Sequence, residues 1–275
     1  MLKKALEGVI SEGELADLFA AFDQVGDIIV IKIPDSLLPR KKIIGETLLE
    51  KVKSANSVFC QSSPVEGELR TRDLELIAGE DRTVTEYREF GCRFRVDIQK
   101  TFFSPRLSTE RKRIADLVRG KETVINMFGG VGMFSIVAAK EKKCTVYNID
   151  INPEATKLCE QNIKLNKLVG KVESIEGDAA KIIDERFKGK GDRVLMLLPD
   201  RSDEFLDSAV KAAKKKGTIH YYCHIHGDKK NDVPRLAKEH FLEVSTVKSD
   251  VLVSKIVRPV GPRYYQAVVD VKITK

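Results

Sequence analysis

The chain has 275 residues, of which 42% are hydrophobic and 32% charged, and its 48 lysines and arginines exceed its 41 aspartates and glutamates to give a net charge of +7. This composition excludes an intrinsically disordered chain, which combines low hydrophobicity with high net charge. No apolar run approaches the roughly 18–20 residues that a membrane span needs. The five cysteines form no C-x-x-C pair, which is typical of reduced thiols in a cytoplasmic protein. The basic surplus permits a polyanionic partner.

The N-terminal part of the chain mixes helix and strand signals. Residues 1–24 are predicted to form one amphipathic helix, because apolar positions recur at about every third or fourth residue. The β-branched run 28–34 predicts a strand, and the helical spacing of apolar residues in 40–53 predicts a second helix. Period-two alternation in 92–98 predicts another strand. We therefore expect an N-terminal helical extension, 1–24, followed by a small mixed α+β domain, 25–100.

From residue 101 onward, predicted strands alternate with predicted helices. The strands cover 123–128, 144–150, 171–177, 193–199, 218–225, 251–257 and 264–273. The helices cover 108–119, with Ser108 or Thr109 as N-cap, then 134–142, 153–166, 202–215 and 233–241. This alternation predicts βαβ units around a parallel sheet. The last two strands, joined by a turn at 258–263, predict a closing antiparallel hairpin.

A glycine-rich loop follows the first strand of this second part. Gly129, Gly130 and Gly132 let the backbone turn tightly and approach a ligand. The next strand ends in Asp150, whose carboxylate could accept both hydroxyls of an adenosine ribose, and the strand after it ends near Asp178, which could meet an adenine amine. Either acid alone could equally be an exposed helix N-cap. The ordered set predicts a nucleoside ligand at one crevice.

Five segments resemble one family. NMFGGVGMFSI, NIDINPEA, IHYY, FFSPRLSTER and GCRFRVD are similar to segments of the archaeal and eukaryotic-type tRNA (guanine-37-N1)-methyltransferases, from about residue 25 to the C-terminus. The resemblance implies a class I, Rossmann-like catalytic domain at 101–275 that uses S-adenosylmethionine, a small RNA-binding domain before it, and a tRNA partner held at the anticodon stem-loop. No metal is expected. We expect a monomer. Because only residues 1–24 precede the resemblance, the further domain with which many members grip the tRNA elbow is expected to be absent.

The resemblance also implies roles for individual residues. Glu110 falls where the family places its general base, and Arg70 aligns with the arginine that contacts the target guanine. These roles suit the chemistry, because guanine N1 must lose a proton to a nearby base while negative charge collects on O6. Glu110 could instead be a helix first-turn acid, and Arg70 a solvated strand-edge charge. The residues implied to hold the cofactor are Arg106, Phe128, Gly129, Gly130, Gly132, Asp150, Asp178 and Pro199.

The chain departs from the family pattern at three places. Asn126 replaces an acid at the end of the first strand of the catalytic domain. Gly129 and Met133 replace an alanine and a proline in the loop. Leu197 replaces the asparagine of an Asn-Leu-Pro segment, and this loss matters most, since the amide helps to orient the guanine or the cofactor.

Three alternative functions remain. The related wybutosine-pathway aminocarboxypropyl transferases share the fold and cofactor, but lack the arginine and glutamate that match Arg106 and Glu110. A non-catalytic RNA-binding relative is disfavoured by the intact glycine loop and Asp150. An NAD oxidoreductase is disfavoured because Ser135 occupies the third glycine position of the dinucleotide pattern.

The strand 218–225 contains tyrosines and histidines with two possible roles. Its tyrosines could stack on bases, but half-buried sheet tyrosines are the favoured interpretation. Its histidines suggest zinc, but no second ligand cluster accompanies them.

Overall fold

The computed structural model describes residues 2–19, 22–63 and 67–274. The chain divides into two compact units, Met1–Pro105 and Arg106–Lys275. In the first unit the helices are α1 (Leu2–Ala5), α2 (Glu12–Asp17) and α3 (Lys41–Lys51), and the strands are β1 (Asp23–Val25), β2 (Ile28–Ile31), β3 (Ser57–Gln61), β4 (Leu74–Gly79), β5 (Val84–Glu89) and β6 (Cys92–Asp97). Strands β1-β2-β3-β4 form a sheet in that order, in which only the β2–β3 pair is parallel, while β5 and β6 form a hairpin.

The prediction of one amphipathic helix over 1–24 is wrong. Helix α1 ends at Ala5, and Gly8, with a φ of 75°, lies in the turn that follows it. Ser11 then starts α2 with a capping box, in which its side chain and that of Glu14 satisfy each other's backbone N–H groups. The apolar residues of this region are buried in the core of the first unit, namely Leu2, Leu6, Ile10 and Leu18. Residues 20 and 21 lie outside the described part.

The second unit is built on a seven-stranded sheet. Its strands are β7 (Thr123–Asn126), β8 (Thr145–Asp150), β9 (Lys171–Glu176), β10 (Gly191–Met196), β11 (Ala213–His226), β12 (Ser249–Gly261) and β13 (Tyr264–Ile273). The sheet order is β12-β13-β11-β10-β7-β8-β9, parallel from β11 to β9 and antiparallel at β13 and β12. The predicted α/β fold, a Rossmann-like parallel sheet closed by a C-terminal antiparallel hairpin, is confirmed.

The helices of the second unit largely match the predicted ones. They are α4 (Ser108–Leu117), α5 (Met133–Glu141), α6 (Pro153–Leu165), α7 (Ala179–Ile182), α8 (Ser202–Ala212) and α9 (Val233–Val244). Helix α6 begins where predicted, because the Asn152 side chain accepts the N–H of Glu154 and proline occupies the first turn. No described helix is long and apolar enough to cross a membrane.

Several element boundaries differ from the predictions; the strand predicted at 193–199, for example, is Gly191–Met196. Ser108 and Thr109 are not N-caps, because a 3₁₀ turn at Pro105–Leu107 leads directly into α4 and Leu107 takes the cap position without a side-chain bond. Residues 213–216 extend β11 rather than α8. Strand β12 continues to Gly261, so the hairpin turn is shorter than 258–263. Helix α7 and the π-helical turn after it, Ile183–Phe187, were not predicted.

Alternate residues of β11 serve different faces of the sheet. Tyr221 and Cys223 belong to the apolar core that also contains Phe241 of α9. His220 and Tyr222 bond instead to polar residues of β13 and α4. This alternation places a polar cluster beneath α4.

Candidate functional site

The glycine-rich loop after β7 is tied to the end of β8. The N–H of Gly130 donates to Oδ2 of Asp150 over 2.6 Å, and the N–H of Asn152 donates to Oδ1 over 2.9 Å. Burial raises the pKa of Asp150, and these two N–H groups act against that rise. A carboxylate has about four lone-pair sites, so Asp150 retains room for further donors. The structure therefore brings together the loop and the acid that the sequence singled out.

Glycine is required at the centre of this loop. A Cβ on Gly129 would lie 2.1 Å from Oδ1 of Asn148, and a Cβ on Gly132, where φ is 89°, would lie 2.6 Å from Sγ of Cys159. Asn148 fills the space beside Gly129 because its side-chain amide donates to the carbonyl of Gly130 over 3.2 Å. The change from the family's alanine to Gly129 thus accommodates Asn148 in this chain.

Asn126 ends β7 in a fully buried polar cluster. Its Nδ2 donates to Oγ of Ser135 over 3.1 Å, and that hydroxyl donates to Oδ1 of Asn148 over 2.6 Å. Within the described residues, Oδ1 of Asn126 has no hydrogen-bond partner. Buried polar atoms are nearly always satisfied, so this acceptor beside the loop fits a ligand or water that brings a donor.

The remaining predicted ligand residues are Asp178, Phe128, Pro199 and Arg106. Asp178 is the N-cap of α7, and its side chain accepts the N–H of Lys181 over 2.9 Å. Phe128 packs edge-to-face on Phe205, with ring centroids 4.9 Å apart. Pro199 lies in the segment between β10 and α8, and Arg106 lies in the 3₁₀ turn before α4. Asp178 therefore caps a helix, which is the alternative role that the sequence left open for it.

Glu110 is buried in the first turn of α4, with 3% of its side chain exposed. Its Oε1 accepts Nη2 of Arg113 over 2.6 Å and the hydroxyl of Tyr222 over 2.6 Å. Nε of Arg113 lies 3.0 Å from Oε1 and 2.9 Å from Oε2, and Nζ of Lys255 lies 3.3 Å from Oε2. An acid that only offsets the helix dipole would be exposed to solvent. This carboxylate is instead buried, and its hydrogen-bond partners hold it in one orientation.

A buried polar chain extends from Glu110 across the sheet. Arg113 also bonds to Asp270 on β13, and Asp270 Oδ1 lies 2.6 Å from Nδ1 of His220. The other ring nitrogen of His220 lies 2.6 Å from Nη1 of Arg193, whose Nε donates to a carboxylate oxygen of Glu122 over 3.0 Å. We refer to Glu110, Arg113, Asp270, His220, Arg193 and Glu122 as the buried polar chain.

Protonation states within this chain follow from burial and from charge. Burial lowers the pKa of His220, helped by the neighbouring Arg193 and Arg113, so its ring is neutral. Neutral His220 can donate from Nδ1 to Asp270 and accept at Nε2 from Arg193. Although burial alone raises the pKa of Asp270, bonds and charge from its partners outweigh that effect and lower the pKa to about 2. Asp270 is therefore an anion held by Arg113.

The neutral His220 makes the stability of the protein depend on pH. In the unfolded chain its pKa returns to about 6.5, so the unfolded state binds more protons below that value. The free energy of unfolding should therefore decrease as the pH falls from 7 to 5. Each unit by which the folded pKa lies below the unfolded one contributes about 1.4 kcal/mol. Urea unfolding across this range, compared with His220→Asn, measures the effect; equal slopes for the two proteins would contradict it.

Arg70 lies in the first unit, in the segment between β3 and β4 and outside any strand, so the strand-edge alternative is wrong. Its φ of 53° is in the left-handed region, where side-chain-bearing residues are uncommon and which often marks functional segments. Its guanidinium lies over the ring of Phe102, 4.8 Å from the centroid. The arginine thus has a defined conformation.

Sequence reasoning missed Arg113, Asp270 and Lys255. The contact between Arg113 and Glu110 could have been predicted, because residues three apart on a helix lie next to each other on its surface. Asp270 and Lys255 are on strands distant in sequence, and no local pattern links them to Glu110. Tyr221 and Tyr222 lie in the sheet, as the favoured interpretation has them, but they are fully buried rather than half-buried. Among the described residues, no group of three or more His, Cys, Asp or Glu side chains is placed to hold a metal.

Comparison with known proteins gives matches along almost the whole chain. A model described as the TRM5/TYW2 methyltransferase domain matches residues 85–245, and one described as the TYW2 N-terminal domain matches residues 2–83. The second match begins before residue 25, where the sequence resemblance was placed, and it includes α1 and α2.

Individual relatives share more than a third of the residues. The tRNA (guanine(37)-N(1))-methyltransferase Trm5b of Pyrococcus abyssi is 40% identical over 92% of this chain and 75% of its own. The tRNA 4-demethylwyosine(37)-methyltransferase Taw21 of Saccharolobus solfataricus is 35% identical over 93% of this chain and 95% of its own. A solved structure described as the complex of aTrm5 and tRNALeu superposes with a TM-score of 0.86 at 37% identity, covering 99% of this chain and 78% of that one.

Proposed function

Because the chain belongs to the TRM5/TYW2 methyltransferase family, we propose that it methylates N1 of guanosine 37 in tRNA with S-adenosylmethionine as the methyl donor. The observation that carries the proposal is the environment of Glu110, a buried carboxylate fixed by Arg113 and Tyr222. The sequence similarity to Trm5b and to the tRNA-bound aTrm5 supports the choice of substrate.

Methyl transfer to guanine N1 requires a base that is already in position. N1 carries a proton, which must leave as the methyl group arrives, and a positioned carboxylate can accept it. Three donated bonds from Arg113 and Tyr222 hold Glu110 in one orientation before the substrate binds. Negative charge develops on O6 in the transition state, and we assign Arg70 to stabilise it. Glu110 and Arg70 thus have complementary roles.

The residues around the glycine loop fit the methyl donor, which supplies an activated methyl group on a sulfonium. Asp150 retains lone pairs for the two ribose hydroxyls. The unsatisfied Oδ1 of Asn126, beside the glycine loop, fits a ligand that brings a hydrogen-bond donor. We assign the cofactor site to Arg106, Phe128, Gly129, Gly130, Gly132, Asp150, Asp178 and Pro199.

Cofactor affinity should depend on Asp150. Asp150→Ala removes charge-assisted hydrogen bonds worth roughly 1.5–3 kcal/mol, so the Kd for S-adenosylmethionine measured by calorimetry should rise at least about tenfold. Asp150→Asn retains an acceptor for the N–H of Gly130 and separates loss of charge from loss of loop structure. Asp184→Ala, at an exposed acid paired with Lys188, is the control. Unchanged affinity in a folded Asp150→Ala protein would exclude Asp150 from the site.

A second candidate is methylation of 4-demethylwyosine at position 37. Two observations favour it: Taw21 matches this chain over 95% of its own length, and Leu197 replaces the asparagine expected to orient the guanine or the cofactor. Aminocarboxypropyl transfer is less favoured, because the chain retains Arg106 and Glu110. These activities differ in substrate or in transferred group, so they can be separated directly.

The proposal is tested by transfer of a labelled methyl group to tRNA. Transcripts carrying guanosine or adenosine at position 37 are incubated with the protein and methyl-labelled S-adenosylmethionine. Label should enter the guanosine transcript alone. Labelling of both transcripts would place the target elsewhere. Labelling of neither, together with labelling of a tRNA that carries 4-demethylwyosine, would favour the second candidate.

A further inference from the structure

Lys255 is the outermost group that contacts Glu110. Its Nζ lies 3.3 Å from Oε2 of Glu110, and 37% of its side chain is exposed, against 3% for Glu110. It lies on β12, the edge strand of the sheet, opposite Val268 of β13. Lys255 therefore stands between the buried carboxylate and the solvent.

The two oxygens of Glu110 have different surroundings. Oε1 accepts from Tyr222 and from both Nε and Nη2 of Arg113. Oε2 is bonded by Nε of Arg113 and contacted by Lys255. Lys255 is the most exposed donor of this set, with 37% of its side chain exposed against 18% for Arg113, so a substrate can displace it from Oε2. Oε2 is thus the oxygen positioned to take a proton.

We infer that Lys255 contacts the target guanine and, together with Oε2 of Glu110, recognises its Watson–Crick edge; this inference rests on the proposed function. Guanine presents N1–H, a donor, beside O6, an acceptor. Oε2 and Nζ present an acceptor beside a donor, which is the complementary pattern. Adenine presents the reverse pattern at N1 and N6, so both contacts would be unfavourable. The preference for guanine over adenine then follows from two adjacent side chains, those of Glu110 and Lys255.

The same pair serves the reaction. The N1–H bond breaks and its proton passes to Oε2 of Glu110, while the bond from N1 to the methyl carbon forms and the bond from that carbon to the sulfonium breaks. The positive charge of the sulfonium and the negative charge of the carboxylate disappear together, leaving a thioether, a carboxylic acid and 1-methylguanine. During transfer, the ammonium of Lys255 adds to the stabilisation of the negative charge on O6 that is assigned to Arg70.

The test compares Lys255→Met, which keeps the length of the side chain but removes its charge, with Lys255→Arg. On a transcript with guanosine 37, Lys255→Met should lower the single-turnover methylation rate by about 10- to 100-fold, and Lys255→Arg should restore much of it. The Kd for tRNA should change by less than about twofold, because Lys255 is assigned no phosphate. A transcript with inosine 37, which keeps N1–H and O6, should show the same loss. Lys272→Met, at an exposed lysine of β13, is the matched control.

The outcomes separate this inference from the proposed function. If the parent protein forms no 1-methylguanosine, the proposed function fails. If the parent is active and folded Lys255→Met retains its rate, the inference alone fails. If Lys255→Met weakens tRNA binding and leaves the single-turnover rate at saturating protein unchanged, Lys255 contacts a phosphate and the inference is wrong. Because Lys255 is partly exposed and Arg113 and Tyr222 still hold Glu110, thermal melting should show a folded variant.

Discussion

Glu110→Gln is expected to lower the single-turnover rate of tRNA methylation by about 10²- to 10⁴-fold, the usual contribution of a general base. Glutamine keeps the shape of the side chain and an oxygen that can accept from Tyr222 and Arg113, but it cannot take the N1 proton. Affinities for tRNA and S-adenosylmethionine should change little, because the carboxylate acts mainly in the transition state.

The buried position of Glu110 makes a stability control necessary. Glu122→Gln is well matched, since Glu122 lies at the far end of the buried polar chain, where it pairs with Arg193. Both substitutions remove one carboxylate charge from a paired arginine, so both should lower the melting temperature. Only Glu110→Gln should reduce the methylation rate. A folded Glu110→Gln protein with the full single-turnover rate would refute the assignment of the base, and Asp200, after Pro199, would be the next candidate.

Asp270→Asn is expected to lower the free energy of unfolding by about 3–5 kcal/mol, the usual cost of removing one partner from a buried ion pair. Asp270 is the anion between Arg113 and His220. Without its negative charge, the positive charge of Arg113 is less fully neutralised in the protein interior. Burial by itself lowers the pKa of Arg113, but the bonds to Glu110 and Asp270 outweigh this effect and raise the pKa above its usual value. Urea unfolding followed by circular dichroism measures the change.

A matched substitution on the neighbouring strand tests whether this cost comes from burial. Asp250 on β12 is exposed, so Asp250→Asn should change the free energy of unfolding by less than about 0.5 kcal/mol. Comparable effects at the two positions would mean that Asp270 is not central to the polar chain. The contribution of Asp270 is present above its unfolded pKa of about 3.9 and should be lost as the pH falls through its folded pKa of about 2.

The parts of the structure predicted correctly are those in which local sequence pattern determines geometry. Gly129, Gly130 and Asp150 were grouped from the strand–loop–helix pattern, and the bond from Gly130 to Asp150 joins the loop to the acid. The parallel sheet followed from alternating strands and helices. The prediction failed where two local patterns in the sequence disagreed. Apolar spacing predicted one helix over 1–24, but a turn at Gly8 and a capping box at Ser11 divide this segment into two short helices.

The polar cluster around Glu110 could not be predicted in full, because its members meet only in the folded sheet. Arg113 was within reach of helix-spacing arguments. Asp270 and Lys255 join Glu110 because β13 and β12 pair antiparallel beside β11, and that register has no signature near Glu110. The alternating spacing of His220, His224 and His226 suggested a metal, whereas in the structure the ring of His220 bonds to Asp270 and Arg193.

Transfer of a methyl group to N1 of guanosine 37 can be measured by mass spectrometry of nucleosides from a tRNA with guanosine 37 after incubation with the protein and S-adenosylmethionine. We expect 1-methylguanosine from the parent protein and about 10²- to 10⁴-fold slower formation by Glu110→Gln. An aminocarboxypropyl adduct in its place would refute the proposed reaction, and 1-methylguanosine formed equally fast by folded Glu110→Gln would refute the assignment of the base.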